Sequence, residues 1–256
     1  MELLSRAIGP LETNVYVLAD VRTREAIAID TAIPCLSWLS GLLVERGWTL
    51  KLIISTHGHW DHTGDNAAVQ AWTRKQAAHA AGHGAVVAGA NVAAATEPGG
   101  DPGPAANPAR DPSGPEVGAP IAVHPLDRDR LIHPAPLFAP FEIPPSVPAV
   151  DLAEGGRVRF GDIDLEVLHT PGHTEGSVCL LDRDAGLLLS GDTLFAGSWG
   201  RTDLPGGSDE QMAASLARLS GMDDRVRVLP GHGPATLIGR ERRWLERVKA
   251  TGQLPG

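Results

Sequence analysis

One stretch constrains this chain more than any other: Leu52-Ile53-Ile54-Ser55-Thr56-His57-Gly58-His59-Trp60-Asp61-His62. A short apolar strand runs straight into three histidines and a carboxylate. Packing does not call for such a cluster. Neutral imidazole and carboxylate suit divalent zinc, iron or manganese. His57 and His59 alternate along the chain, so both can converge on one metal as the backbone leaves the strand. Asp61 and His62 fall where a helix should begin, and can face a second metal beside the first.

The same arrangement recurs downstream. Leu165–Leu168 reads as a strand and leads to Pro171-Gly172-His173. Leu187–Leu189 leads to Gly191-Asp192, and Val226–Leu229 leads to Pro230-Gly231-His232. In open α/β sheets, sites gather at strand ends, where loops converge. Alone, Asp192 reads as a turn residue and His173 as a loop histidine. Together the four strand ends bring five histidines and two aspartates, enough for two metals.

The remaining pattern supplies the frame. Asn14–Ala19, Ala26–Ile29, Ile121–Val123, Val158–Phe160 and Val178–Leu181 read as further strands. Leu36–Arg46 spaces its leucines along one helical face, and Gly47 closes it. Helices are also expected over about 65–73, over Asp209–Leu219 and over Glu241–Lys249. Mixed strands and helices predict an α/β sandwich, sheets inside and helices outside, as a single domain over residues 1–256. Residues 74–118 interrupt it with a Pro/Gly/Ala-rich insertion. Its second half lacks large apolar residues and cannot offset its ordering entropy, so it is expected to be partly disordered or mobile. Its first half has room for a short helix, where His79 and His83 stand four apart with no third ligand nearby. A second proline-rich stretch, Pro134 to Pro148, carries Leu137, Phe138, Phe141 and Ile143 and is expected to pack down.

These motifs resemble those of the metallo-β-lactamase-fold hydrolases. Thr56-His57-Gly58-His59-Trp60-Asp61-His62 matches the HxHxDH signature. Thr170-Pro171-Gly172-His173-Thr174, Gly191-Asp192-Thr193 and Pro230-Gly231-His232-Gly233 match the later motifs in order. Gly200-Arg201-Thr202-Asp203-Leu204-Pro205-Gly206-Gly207 is similar to a loop of the short glyoxalase II-like enzymes. The resemblance implies an αββα sandwich. It implies that His57, His59 and His173 hold one metal, that Asp61, His62 and His232 hold another, and that Asp192 bridges them. The implied cofactors are two divalent ions, zinc first, with iron or manganese as options. The implied reaction is thioester hydrolysis of the hydroxyacylglutathione type, with Asp61 also orienting the attacking hydroxide. Mononuclear iron persulfide dioxygenases share the histidine pattern and form the alternative reading, with lactone or other ester hydrolysis a further one. The glutathione-contacting C-terminal domain of full-length glyoxalase II enzymes has no counterpart after Lys249, so the substrate-binding residues and thiol carrier stay open. The insertion follows the helix that starts at the metals, so its root is expected at the far end; deleting about Lys75 to Gly118 is expected to leave activity intact.

Other side chains carry weaker expectations. His169 is expected to be structural, Arg201 to pair with a carboxylate such as Asp203, and Tyr16 and Cys179 to lie in the core. The net charge of −9 argues against a broad nucleic-acid-binding face. No apolar run reaches bilayer length, and Met1–Leu18 lacks a leader pattern, so a cytoplasmic protein acting on a small-molecule thioester or ester is expected. Only Cys35 and Cys179 are present, which gives no disulfide framework. Nothing in the pattern fixes an oligomeric state.

Overall fold

The computed structural model describes residues 1–81, 91–93, 118–135, 139 and 141–255. In chain order the first half holds β1 (Glu2–Ile8), β2 (Thr13–Asp20), β3 (Glu25–Ile29), α1 (Leu36–Arg46), β4 (Thr49–Ile54), α2 (Trp60–Thr63), α3 (Asn66–Ala81), β5 (Asn91–Ala93), β6 (Ile121–Val123), α4 (Arg128–Ile132) and β7 (Val150–Asp151). The second half holds β8 (Arg157–Phe160), β9 (Ile163–His169), β10 (Val178–Asp182), β11 (Leu187–Gly191), β12 (Leu194–Phe195), β13 (Ser198–Trp199), α5 (Asp209–Leu219), β14 (Arg227–Pro230), β15 (Thr236–Leu237) and α6 (Ile238–Thr251).

Two large sheets form, in the orders β1-β2-β3-β4-β6-β7 and β15-β14-β11-β10-β9-β8-β5, and β12 and β13 make a separate two-stranded ribbon. Alternation along the strands explains why both sheets are covered twice. In β2, Val15, Val17 and Ala19 face a core shared with Leu39 and Leu43 of α1 and Val69 of α3. Tyr16 and Leu18 face the other way, into a core between the sheets with Leu165, Val167, Leu180 and Leu189. A third core packs Cys179, Leu181 and Leu188 against Met212 and Leu216 of α5 and Leu245 of α6. Two sheets between two helical layers make the expected αββα sandwich. No helix among the described residues is long and apolar enough to cross a membrane.

The strand ends meet at one edge of the sandwich. β3 and β4 run parallel with Ile29 beside Ile54, so Asp30 lies next to the chain entering Thr56. β11 and β14 run parallel with Gly191 beside Pro230, so Asp192 and His232 emerge side by side. Val178 N–H donates to Thr56 O at 2.9 Å, and Asn14 N–H to Gly231 O at 2.7 Å. These bonds tie the two sheets together where the motifs converge.

The expected insertion needs correction at both ends. α3 does not stop at Thr73; the Ala-rich continuation, a strong helix former, carries it through Ala81. At the other end Gly118 is buried, and Ala119 N–H donates to Thr73 Oγ1 at 2.9 Å. Between them Asn91–Ala93 pairs antiparallel with β8 at the edge of the second sheet. His79 is exposed on α3. His83, and the segment expected to be mobile, fall outside the described residues, as do Leu137 and Phe138. Unanticipated too were β1, which pairs with β2 from Thr13 to Ala19, and α4.

Candidate metal centre

The seven side chains singled out from the sequence come together. His57 Nε2, His59 Nδ1 and His173 Nε2 form a triangle with sides of 3.1, 2.8 and 3.2 Å. Asp61 Oδ2, His62 Nε2 and His232 Nε2 form a second, with sides of 3.3, 3.2 and 3.2 Å. Asp192 stands between them. Its Oδ2 is 3.4 Å from His173 Nε2 and 3.5 Å from His232 Nε2, and its Oδ1 is 3.5 Å from His62 Nε2.

These triangles fit a divalent cation. Ligands at about 2.0–2.1 Å in a tetrahedron lie roughly 3.3 Å apart, close to the sides observed. Three imidazole nitrogens aimed at one point cannot satisfy one another by hydrogen bonding, since each bond needs one donor and one acceptor along a line. Asp192 Oδ1 is buried with no hydrogen-bond partner. Gly231 keeps the space open: a Cβ there would come within 2.2 Å of Asp192 Oδ1 and 2.7 Å of His62 Cε1.

The far side of four of the five rings faces a polar partner, which sets the nitrogen that points inward, whereas His59 Nε2 is buried with no hydrogen-bond partner. His173 Nδ1 lies 2.7 Å from Arg201 O, and His232 Nδ1 2.9 Å from Leu11 O; each is a ring N–H donating to a carbonyl. His57 Nδ1 lies 3.2 Å from Thr56 Oγ1, and that hydroxyl donates to Asp30 Oδ2 at 2.9 Å. Asp30 Oδ2 also sits 3.0 Å from His62 Nδ1, while Oδ1 accepts from Thr56 N–H at 2.8 Å. Thr13 Oγ1 donates to Asp61 Oδ2 at 3.1 Å. Tyr16, buried as expected, donates from its hydroxyl to Pro230 O at 2.8 Å and so anchors the His232 loop.

The two triangles differ electrostatically. Burial and the neighbouring His62 and His173 rings push His57 well below the usual imidazole range. Burial and His173 bring His59 down to about 3. Both rings are therefore neutral at pH 7 and have no proton to shed before taking a metal. Burial opposes charge on His62 as well, but the carboxylates of Asp61, Asp192 and Asp30 outweigh it and raise His62 well above its usual range. Burial would likewise raise Asp61; His62 and His232 overcome it and hold that carboxyl below the usual carboxylate range. The site thus demands positive charge beside Asp61 and Asp192, which a divalent cation supplies.

One buried carboxylate outside this set was not singled out from the sequence. Asp127 is fully buried. Its Oδ2 accepts from Gly58 N–H and Thr174 Oγ1, both at 2.7 Å, and its Oδ1 accepts from Gly176 N–H at 2.9 Å. Arg130 Nε lies 3.4 Å from Oδ1. Asp127 therefore clamps the loop bearing His57 and His59 to the loop bearing His173. The weaker expectations hold in the main. His169 bonds Glu175 O at 2.8 Å and stacks on His124 at 4.1 Å, away from the cluster. Arg201 makes a two-point pair with Asp203 at 2.7 Å. Cys179 is buried and unbridged. Phe141 packs edge-on against Trp60 at 5.7 Å.

His59, Asp61, His173, Asp192 and His232 open onto a cleft of about 440 Å³, whose other walls include Leu11, Trp60, Phe195, Arg201 and Leu204.

An αββα sandwich with paired His/Asp triads at its strand ends defines a class of metallo-hydrolases. Residues 8–232 match the metallo-β-lactamase superfamily domain, and the chain belongs to that superfamily. It is 32% identical over 248 residues to an uncharacterized protein of Mycobacterium leprae, covering 92% of this chain and 93% of that one. Among solved structures it is similar to the BLEG-1 B3 metallo-β-lactamase, with TM-score 0.73 and 27% identity over 96% of this chain and 99% of that one. It is also similar to TTHA1623 in a di-iron-bound form, with TM-score 0.69 and 30% identity over 94% and 97%. Partial matches include the hydroxyacylglutathione hydrolase GloC of Haemophilus influenzae, 36% identical over 35% of this chain and 43% of that one. Another is the acyl-coenzyme A thioesterase MBLAC2 of Gallus gallus, 33% identical over 75% and 58%.

Proposed function

We propose that residues 1–256 act as one domain of this fold, a dinuclear metal-dependent thioester hydrolase. The observation that carries the reading is the sharing of Asp192 between two complete ligand triangles. His57, His59 and His173 would hold one metal, Asp61, His62 and His232 the other, and Asp192 both. Zinc suits this donor set; iron suits it as well, and TTHA1623 binds two irons. Two relatives named above act on thioesters, which favours that substrate class over other esters and lactones.

A bound metal pair lowers the pKa of a water toward neutrality and polarises an acyl carbonyl. The chain does the positioning. Asp61 keeps its carboxylate ionised, with Oδ2 held by Thr13, so the carboxylate can orient a water and accept its hydrogen bond. Thr56, Arg201 O and Leu11 O fix the imidazole orientations, so little reorganisation is needed during reaction. The leaving thiolate is stable at neutral pH, so no general acid is required.

The test is turnover of acyl thioesters by protein of known metal content, with Asp61→Ala and Asp192→Ala alongside. Loss of turnover in both, with lowered metal content, supports the reading. Full turnover in either variant removes the mechanism.

A further inference from the structure

The cleft also carries information about the substrate's acyl half. Apart from the metal-binding side chains, its walls are Leu11, Trp60, Phe195 and Leu204, with Arg201 at the edge. Leu11 is 52% exposed, and Phe195 and Leu204 are partly exposed. Large apolar side chains left open to water beside a reactive centre are covered when an apolar group enters.

The cations nearby are already engaged. Arg201 is paired with Asp203 through both its Nε and Nη2. A second cleft, on the other side of Gly58 and His59, carries Arg130 and His133. Arg130 Nη2 donates to Glu175 Oε2 at 2.7 Å, and His133 Nδ1 lies 2.8 Å from Asp129 Oδ1. Among the described residues, no cation of either cleft outside the cluster stands without a carboxylate partner. Among the described residues, Arg201, Arg130 and His133 each face a carboxylate of the protein rather than standing free for a glutathione carboxylate or an anionic acyl group.

Resting on the thioesterase reading above, we infer that the cleft selects its substrate by apolar contact with the acyl chain, and takes thioesters of unbranched aliphatic acids of several carbons in preference to short hydroxyacyl groups. In hydrolysis, water adds to the acyl carbon and the carbon–sulfur bond breaks, giving a carboxylate, a thiolate and two protons, one of which the thiolate takes up to leave as the thiol. No redox partner is involved.

The experiment uses the full chain with its metals and a series of N-acetylcysteamine thioesters: acetyl, butyryl, hexanoyl and octanoyl, with lactoyl as the polar comparison. A carrier this small removes any contribution from glutathione or coenzyme A. Burial of a methylene corresponds to about a fourfold gain, so kcat/KM is expected to rise by roughly that factor per carbon until the cleft is full. Leu204→Asp is expected to flatten the slope at unchanged metal content. The uncleavable octyl thioether of N-acetylcysteamine, titrated calorimetrically, is expected to bind more tightly than the ethyl thioether by the same dependence.

A flat series, or a preference for lactoyl over butyryl, overturns the inference and leaves the thioesterase reading standing. If the octyl thioether binds with the chain-length dependence but metal-loaded protein cleaves no thioester, the apolar cleft stands and the thioesterase reading falls.

Discussion

Removing the Asp127 carboxylate should damage the metal centre without touching a ligand. Its two oxygens hold Gly58, Thr174 and Gly176, so one side chain joins both loops of the first triangle. Each hydrogen bond to a buried carboxylate contributes about 1.5–3 kcal/mol, or roughly 5–9 kcal/mol for three. Keeping that carboxylate from water costs several kcal/mol in the wild type, so the net loss in Asp127→Ala is about 3–5 kcal/mol. Most of a typical domain's stability margin would go, yet the chain should still fold when metals are bound. Asp127→Asn should lose somewhat less, since its amide oxygen can still accept from Gly58 N–H and Thr174 Oγ1 and only the Gly176 N–H then meets a donor. With His59 and His173 no longer fixed relative to each other, metal affinity should fall about 10- to 100-fold. Denaturant titration of chelator-treated protein gives the first number, and competition with a coloured chelator gives the second. A variant within about 1 kcal/mol of wild type that also keeps wild-type metal affinity would refute the clamp.

Other predictions follow from the same geometry. Gly231→Ala puts a methyl against Asp192 Oδ1 and His62, so bound metal should fall toward one ion per chain by elemental analysis. His124, held down to about 4 by burial and the stacked His169 ring, takes up its proton later in the folded chain than in the unfolded one, whose imidazole titrates near pH 6.5. Between these values acid favours the unfolded state, so chelator-treated protein should lose denaturation midpoint from pH 7 to pH 5, and His124→Gln should reduce that loss. Replacing residues 82–117 with a flexible linker should preserve metal content and turnover. Ala81 lies about 12 Å along α3 from Thr73, which bonds Ala119, so roughly eight linker residues suffice.

The candidate cluster was legible because each of its residues follows a strand at short, fixed spacing, and because imidazole clusters have few other uses. Strands with apolar runs, such as β4 and β11, announced themselves for the same reason. The supports were not legible. Asp127 lies in a polar run, Leu126–Arg130, and reads as solvated surface; its role appears only when Gly58 and Gly176 converge on it from 69 and 49 residues away. Asp30 shows no role until parallel pairing of β3 and β4 sets it beside Thr56. β1 alternates weakly, with Ser5 and Arg6 exposed, and takes its strand form from pairing along β2. The far end of α3 was misread because an alanine-rich stretch is equally at home in a helix and in a low-complexity loop.

In the proposed site seven side chains would hold two metals for thioester hydrolysis. The most direct measurement is the metal content of purified protein, determined on the same sample that is assayed with octanoyl- and lactoyl-thioesters before and after chelation. About two metal ions per chain are expected, with turnover that chelation abolishes and zinc or iron restores. A single iron per chain, no thioester cleavage, and oxygen uptake with glutathione persulfide would contradict the proposal.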